Sequence, residues 1–301
     1  MNVFINSNPM KDVHFIKNKI NTIDGVTVVK SPSGDTGVAV SIGGDGTFLD
    51  TVHKLDSYGA LDTVPILGIN QGTLGYLTMF DNEAGIDIIE RISKEEAFVE
   101  KYKYLAIDAL FGAAPLQKEV VDEFLHDSDK MIRTSCFGIE NRHMLDAYIH
   151  DNIIGTALND VVISRKNASI IDIRVLVNGK HMTNYRGDGV IVSTATGLTG
   201  YSFSCGAPFI DPRSNAIIVT PIAAHTVMSR SVILPAESNI SLIVDEVRQN
   251  ESGSAAVISI DGVETVAYKG MQIDIKQSEK EVRMCVPNDD NFFTRIYKKM
   301  F

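Results

Sequence analysis

The stretch Val38-Ala39-Val40-Ser41-Ile42-Gly43-Gly44-Asp45-Gly46-Thr47 is a β-branched apolar run that breaks into glycines, and Phe48, Leu49, Val52 and Leu55 then follow at helical spacing. That order predicts a strand, a tight turn and a helix. Glycines at a strand-to-helix turn let the backbone come close to a ligand, and the first N–H groups of the helix have no partner within it, so the turn suits a phosphate. The segment is neither G-x-G-x-x-G nor G-x-x-x-x-G-K-[ST]. Asp45, set among three glycines, has little steric shielding. A carboxylate placed there can accept a hydroxyl proton in phosphoryl transfer. The plainer reading is that Asp45 and Thr47 cap the helix while the glycines make the turn.

Outward from this point, the first hundred residues alternate short β-branched runs (Val26 to Val29, Val38 to Ile42, Val64 to Ile69) with helical patterns (Asp12 to Ile23, the stretch after Gly46, Ala84 to Ile92). This is βαβ grammar and predicts a parallel sheet. From about Tyr102 the pattern becomes alternation. Ile171, Ile173, Val175 and Val177 alternate with other residues up to Asn178-Gly179, a pair favoured in two-residue hairpins. Runs at 240–244, 257–260, 266–268, 273–275 and 282–286 extend a mainly β second half. Residues 116–151 are polar and weakly patterned, hold His126, His143 and His150 in no standard metal-ligand spacing, and read as an insertion of surface loops with a short helix. Phe292, Phe293, Ile296, Tyr297 and Met300 predict a closing helix that needs an apolar groove.

Of 301 residues, 44% are hydrophobic, 38 are acidic and 28 basic, for a net charge of −10. A chain this long buries roughly three quarters of its unfolded surface and tends to form two domains. The acidic balance argues against nucleic acid and anionic membrane as partners. Cys136, Cys205 and Cys285 are too few and too scattered for a disulfide framework or a zinc ribbon. The first residues lack a basic segment followed by a long apolar one, and no run nears the ~18 apolar residues of a membrane helix, so a cytoplasmic protein is expected.

Four separated stretches resemble the NAD kinase family. Gly43-Gly44-Asp45-Gly46-Thr47 is similar to its GGDGT turn, which lipid kinases and phosphofructokinases share. Gly68-Ile69-Asn70-Gln71-Gly72-Thr73-Leu74-Gly75-Tyr76-Leu77-Thr78 resembles its G-I-N-x-G-x-L-G-F-L-T stretch, with Tyr76 for Phe. Asn159-Asp160 is similar to its Asn-Glu/Asp pair, and 186–202 to its GDG…TPTGSTAYS segment. The likeness continues through Gly206-Ala207-Pro208 and Ser259-Ile260-Asp261-Gly262 to Phe292-Phe293, leaving out 116–151.

The resemblance implies an α/β N-terminal domain, Rossmann-like with a parallel sheet (1–100 plus 288–301), and a mainly β, sandwich-like C-terminal domain (101–287), with the active site between them. It implies transfer of a phosphoryl group from ATP or another donor to the 2′-hydroxyl of the adenosine ribose of NAD, giving NADP. Mg²⁺ or Mn²⁺ is expected from the charge on a transferring phosphate, without a ligand set that can be named. The family forms homodimers or homotetramers that share site residues between subunits. By the same resemblance Asp45 is the general base, and Gly43, Gly44, Gly46 and Thr47 face the phosphates. Asn70, Gly72, Tyr76, Asn159, Asp160, Arg186, Asp188, Thr196, Thr199, Gly200, Tyr201 and Ser204 contact NAD.

Each assignment has a plainer counterpart. Asn159-Asp160 alone is a turn dipeptide, Gly187-Asp188-Gly189 reads as a hairpin turn, Asn70, Tyr76 and Tyr201 serve equally as core or turn residues, and Asp261-Gly262 is a normal hairpin turn. Ala195, Leu198 and Gly200 depart from the family's usual Pro, Ser/Thr and Ala, which bears on the preference between NAD and NADH. Two rival readings remain: a lipid kinase of the same superfamily, and a non-catalytic sensor that binds NAD(P).

Overall fold

The computed structural model of the protein describes residues 1–72, 75–94, 137–166, 169–225, 229–247, 256–288 and 290–300. It divides into two units, Met1–Glu140 with Arg283–Phe301, and Asn141–Val282.

In the first unit the chain runs β1 (Asn2–Ser7), α1 (His14–Asn21), β2 (Thr27–Val29), β3 (Thr36–Gly43), α2 (Asp45–Ser57), β4 (Ile66–Asn70) and a helix α3 over 82–94. The strands pair in parallel in the order β2-β1-β3-β4. Helical crossovers between parallel strands bury both faces of a sheet, and β3 accordingly has Val38, Ala39, Val40 and Ile42 fully buried rather than alternating. Phe48, Val52 and Leu55 of α2, three and four residues apart, are also fully buried. Each such side chain contributes roughly 2–3 kcal/mol, so the helix that begins at Asp45 is a firm platform.

After β4 the chain doubles back. Asn70 N–H donates to the Phe80 carbonyl at 2.8 Å and Phe80 N–H to that of Gly68 at 3.1 Å. This return brings 75–78 alongside the β3–α2 turn.

The second unit is built from β5 (Phe137–Ile149), β6 (Asn152–Ala157), β7 (Asp160–Arg165), β8 (Ile171–Val177), β9 (Lys180–Gly187), β10 (Gly189–Thr194), a short α4 (Tyr201–Ser204), β11 (Ala216–Ile222), β12 (Val232–Pro235), β13 (Ile240–Val247), β14 (Ala256–Ile260), β15 (Val263–Ala267) and β16 (Gln272–Pro287). One sheet orders β12-β11-β10-β7-β14-β15, all antiparallel; the other carries β16-β13-β8-β9, with β5 beside β16 and β6 beside β5. Alternate residues of both sheets, among them Val161, Val190, Val192, Ile173, Val175, Leu242 and Ile258, merge in one core. The last residues of β16 belong to the first unit, where Met284 pairs in parallel with Ile66, and the chain ends in α5 (Phe292–Met300).

Several local expectations hold. The β8–β9 hairpin turns on Asn178 (φ 51) and Gly179 (φ 74), the conformation a two-residue turn of this kind requires. Others are corrected. Residues 137–149, expected as loop or short helix, form strand β5, and the separate runs at 273–275 and 282–286 are one long strand. Polar residues of β5 hide its pattern because they have partners in the sheet: Asp146 accepts from Thr156 Oγ1 at 2.7 Å, and Asn141 donates to Glu281 at 2.8 Å. Gly187-Asp188-Gly189 is not a hairpin, since β9 and β10 lie in different sheets. In α5 only part of the expected apolar face is covered: Phe292 and Ile296 are buried, whereas Phe293 and Tyr297 are exposed. His126 and Cys136 lie outside the described residues.

Candidate active site

Asp45 is the first residue of α2, and the residue that caps the helix is Gly44, in extended backbone (φ −108, ψ −171) with no side-chain capping bond. The capping role considered for Asp45 is therefore not the one its carboxylate plays. Its Oδ1 accepts from Leu77 N–H (2.9 Å), Thr78 N–H (3.2 Å) and Thr78 Oγ1 (3.3 Å), while Oδ2 accepts from Tyr76 N–H (2.9 Å). A Cβ on Gly75 would collide with Asp45 Oδ1 and Thr78 Oγ1, so only glycine at that position lets the return segment close on the carboxylate.

The C-terminal helix holds the other side of this segment. Arg295 Nη1 donates to the Tyr76 carbonyl at 2.9 Å, and Arg295 Nε lies 2.8 Å from Asp290 Oδ1, both side chains largely buried. Lys299 Nζ sits 3.6 Å from the centroid of the Tyr76 ring and 4.0 Å from Asp45 Oδ2. Desolvation lowers the Lys299 ammonium below the usual lysine range, and Asp45 opposes that shift. Burial, then the charge of Asp45, pushes the Tyr76 hydroxyl up, with Arg295 acting against both.

Beside the turn lies a cleft of about 320 Å³ lined by Ser7, Asn8, Pro9, Gly44, Gly46, Thr47 and Asp50. Three of these, Gly44, Gly46 and Thr47, are expected phosphate contacts. Ser7 and Asn8, at the polar end of the first strand, and Asp50, in the second turn of α2, carry no expectation from the sequence. Gly43 instead packs under the Thr47 side chain. Asn6 donates to Asp50 at 2.9 Å and to Thr51 at 2.9 Å, and Lys54 bonds Asp50 and Asn6 at 2.8 Å each. Burial works against the charge on Asp50, but the bonds from Lys54 and Asn6 outweigh it and hold the carboxyl below its usual range.

In the second unit Asp261 does for the Asn159-Asp160 pair what Asp45 does for 76–78. Its Oδ2 accepts from Leu158 N–H at 2.7 Å, and its Oδ1 from Asn159 N–H at 2.8 Å and Asp160 N–H at 3.1 Å. Asp261 (φ 46) and Gly262 (φ 86) form the β14–β15 turn, so the hairpin reading is correct yet leaves out the carboxylate's work. Asp160 is 8% exposed. Burial and then the Asp261 charge push its carboxyl up to about 7. Thr194 secures the pair from the other side, its N–H donating to the Asn159 carbonyl at 2.9 Å and its Oγ1 to that of Leu158 at 2.6 Å. Gly197 lies so close to the Asn159 backbone that any Cβ would strike it.

Tyr201 is 47% exposed, which removes the packing alternative. Its hydroxyl is pushed up by burial and by Cys205, Asp188 and Asp160, so Asp160, Asp188 and Tyr201 share one neighbourhood. Asp188 pairs with Arg165 (2.7 Å), a residue not singled out from sequence, whereas Arg186 is exposed and faces Asp172 at 3.7 Å. Thr196 is buried, Thr199 Oγ1 donates to its carbonyl at 3.4 Å, and Gly200 and Ser204 are at the surface. Leu198 is fully buried against Ala207 and Ile218. In the first unit Asn70 and Gly72 lie where the chain leaves β4, and Gln71 N–H donates to the Gly43 carbonyl at 2.8 Å. No group of three or more His, Cys, Asp or Glu among the described residues could hold a metal ion.

Residues 10–97 match the ATP-NAD kinase N-terminal domain family, and residues 158–286 match the ATP-NAD kinase C-terminal domain family. The NAD kinase of Caldicellulosiruptor saccharolyticus is 30% identical over 261 residues, covering 87% of this chain and 81% of that protein. The chain belongs to the NAD kinase family. The NAD kinase of Methanosarcina mazei is 32% identical over 280 residues, covering 92% of this chain and 79% of its own length. Two solved structures share the fold. Yeast NADH kinase complexed with NADH has a TM-score of 0.72 at 21% identity, covering 99% of this chain and 86% of that one. An NAD kinase from Archaeoglobus fulgidus in complex with ATP has a TM-score of 0.66 at 24% identity, covering 99% and 98%. Membership of the NAD kinase family makes this chain a kinase and sets the lipid-kinase reading aside. No helix among the described residues is long and apolar enough to cross a membrane.

Proposed function

We propose that this chain phosphorylates the 2′-hydroxyl of the adenosine ribose of NAD with ATP, giving NADP and ADP, and that Asp45 is the general base. The observation that carries the reading is the asymmetry of the Asp45 carboxylate. Three donors saturate Oδ1, while Oδ2 accepts one amide and keeps a lone pair for a proton. As the ribose oxygen forms its bond to the γ-phosphorus, the bond to the bridging oxygen of the diphosphate breaks and the hydroxyl proton passes to Asp45 Oδ2. The fixed backbone donors hold the base without reorganisation during the step.

The triphosphate lies in the cleft beside Gly44, Gly46 and Thr47, at the N-terminal end of α2. Asn159 and Asp160, with Asp188 and Tyr201, recognise NAD; an amide and a carboxyl have the donors and acceptors that ribose hydroxyls and an amide edge require. Mg²⁺ or Mn²⁺, bound together with the triphosphate, would neutralise part of the charge on the transferring phosphate. A homodimer or homotetramer in the cytoplasm belongs to the same proposal.

The experiment is NADP formation from NAD and ATP, followed with an NADP-specific dehydrogenase against a no-enzyme control. Steady NADP production is expected. Binding of NAD with no turnover under any donor or divalent metal would instead identify a sensor.

A further inference from the structure

A transferring phosphoryl group carries more negative charge than glycine amides can offset, and none of the seven residues lining the cleft at the glycine turn is a lysine or arginine. Lys54, the nearest basic residue on α2, is already bonded to Asp50 and Asn6. The C-terminal helix supplies a different cation. Arg295 ties α5 to the Tyr76 carbonyl, Phe292 and Ile296 seat it, and the Tyr76 ring lies under the Lys299 ammonium at 3.6 Å. At 4.0 Å from Asp45 Oδ2 the ammonium is close enough to feel that charge and too far for a hydrogen bond. An aromatic face restrains a cation without saturating its donors, so Lys299 keeps N–H groups for a third partner.

We propose that Lys299 is a phosphate-binding residue of the transfer site, held at Asp45 by the Tyr76 ring and turning to the terminal phosphate of a bound nucleoside triphosphate. It exchanges no proton. It offsets the charge of Asp45 before the triphosphate arrives and that of the phosphoryl group afterwards. Lys298, its neighbour, has no such contact among the described residues and serves as the control. The inference rests on the kinase reading for its ligand, but its test is a binding measurement that does not depend on turnover.

The test uses the full chain with Mg²⁺ and titration calorimetry of a non-hydrolysable triphosphate analogue (adenylyl imidodiphosphate), ADP and NAD. Lys299→Met is expected to weaken the analogue about tenfold while changing ADP and NAD by less than about twofold, a contact of the size expected for one half-buried charge pair. Lys299→Arg should recover most of the loss, and Lys298→Met should bind like wild type. Unchanged analogue binding in Lys299→Met overturns the assignment. So does equal weakening of all three ligands, which marks a helix that has only come loose, and so does a wild-type chain that fails to bind the analogue. A wild type that binds analogue and NAD but forms no NADP defeats the proposed function and leaves the lysine to be judged on binding alone.

Discussion

Asp45 and Asp261 use the same device in two different units. Each carboxylate gathers the amides of three consecutive residues, 76–78 for Asp45 and 158–160 for Asp261. The difference lies in the charge next to each acid. Asp45 opens a helix and has an ammonium 4.0 Å away, beside a cleft that suits an anion. Asp261 sits in a β-turn and faces a second, buried acid, Asp160, whose proton it helps retain. On the proposed function, one bonding pattern serves reaction chemistry in one place and the positioning of ligand-binding residues in the other. The neighbouring charge, and not the bonding pattern, separates the two roles.

The largest effect that would break or sharpen this comparison is on turnover. Asp45→Asn is expected to lower the rate of NADP formation by about 10³-fold or more, the scale of a lost general base, and to cost stability as well, because its carboxylate also holds three amides. Asp261→Asn should share the stability loss without the loss of chemistry. Losing charge-assisted bonds to three amides costs roughly 2–3 kcal/mol, read as a lower urea midpoint, together with weaker NAD binding and a much smaller fall in kcat. Should the two variants lose turnover and stability in equal proportion, the contrast between them is wrong. Gly75→Ala comes next: the added methyl displaces the 75–78 segment from Asp45, and activity should fall about tenfold with NAD affinity retained.

The smallest effect concerns pH. Asp160, raised from its ordinary value of 3.8 to about 7, holds its proton more tightly folded than unfolded. Its contribution to stability is fully present below about pH 4 and is lost as pH rises through 7. Asp160→Asn removes that dependence. The variant's Tm, relative to wild type, should therefore climb between pH 4 and 8; a constant difference across that range would contradict the assignment.

The features legible in the sequence were those set by neighbours along the chain. The strand, turn and helix around Gly43 to Leu55 follow from a β-branched run, three glycines and helical spacing, and the Asn178-Gly179 hairpin follows from two residues. What was not legible depends on partners far away in sequence. Strand β1 passed unnoticed because Val3, Phe4 and Ile5 make a short run between asparagines. Strand β5 looked polar because its bonding partners, such as Glu281, lie more than a hundred residues on. Asp261 reads as any turn aspartate, because the amides its carboxylate holds lie about a hundred residues earlier. Lys299 belongs to no motif, and only the fold brings it to Asp45.

The central claim is that Asp45 takes the ribose proton in a working NAD kinase. Its most direct test is the rate of NADP formation by wild type and Asp45→Asn at saturating NAD and ATP, with NAD affinity measured on the same samples. The expected result is steady NADP formation by wild type and a loss of about 10³-fold or more in the variant at unchanged NAD affinity. Turnover by Asp45→Asn at the wild-type rate would contradict it.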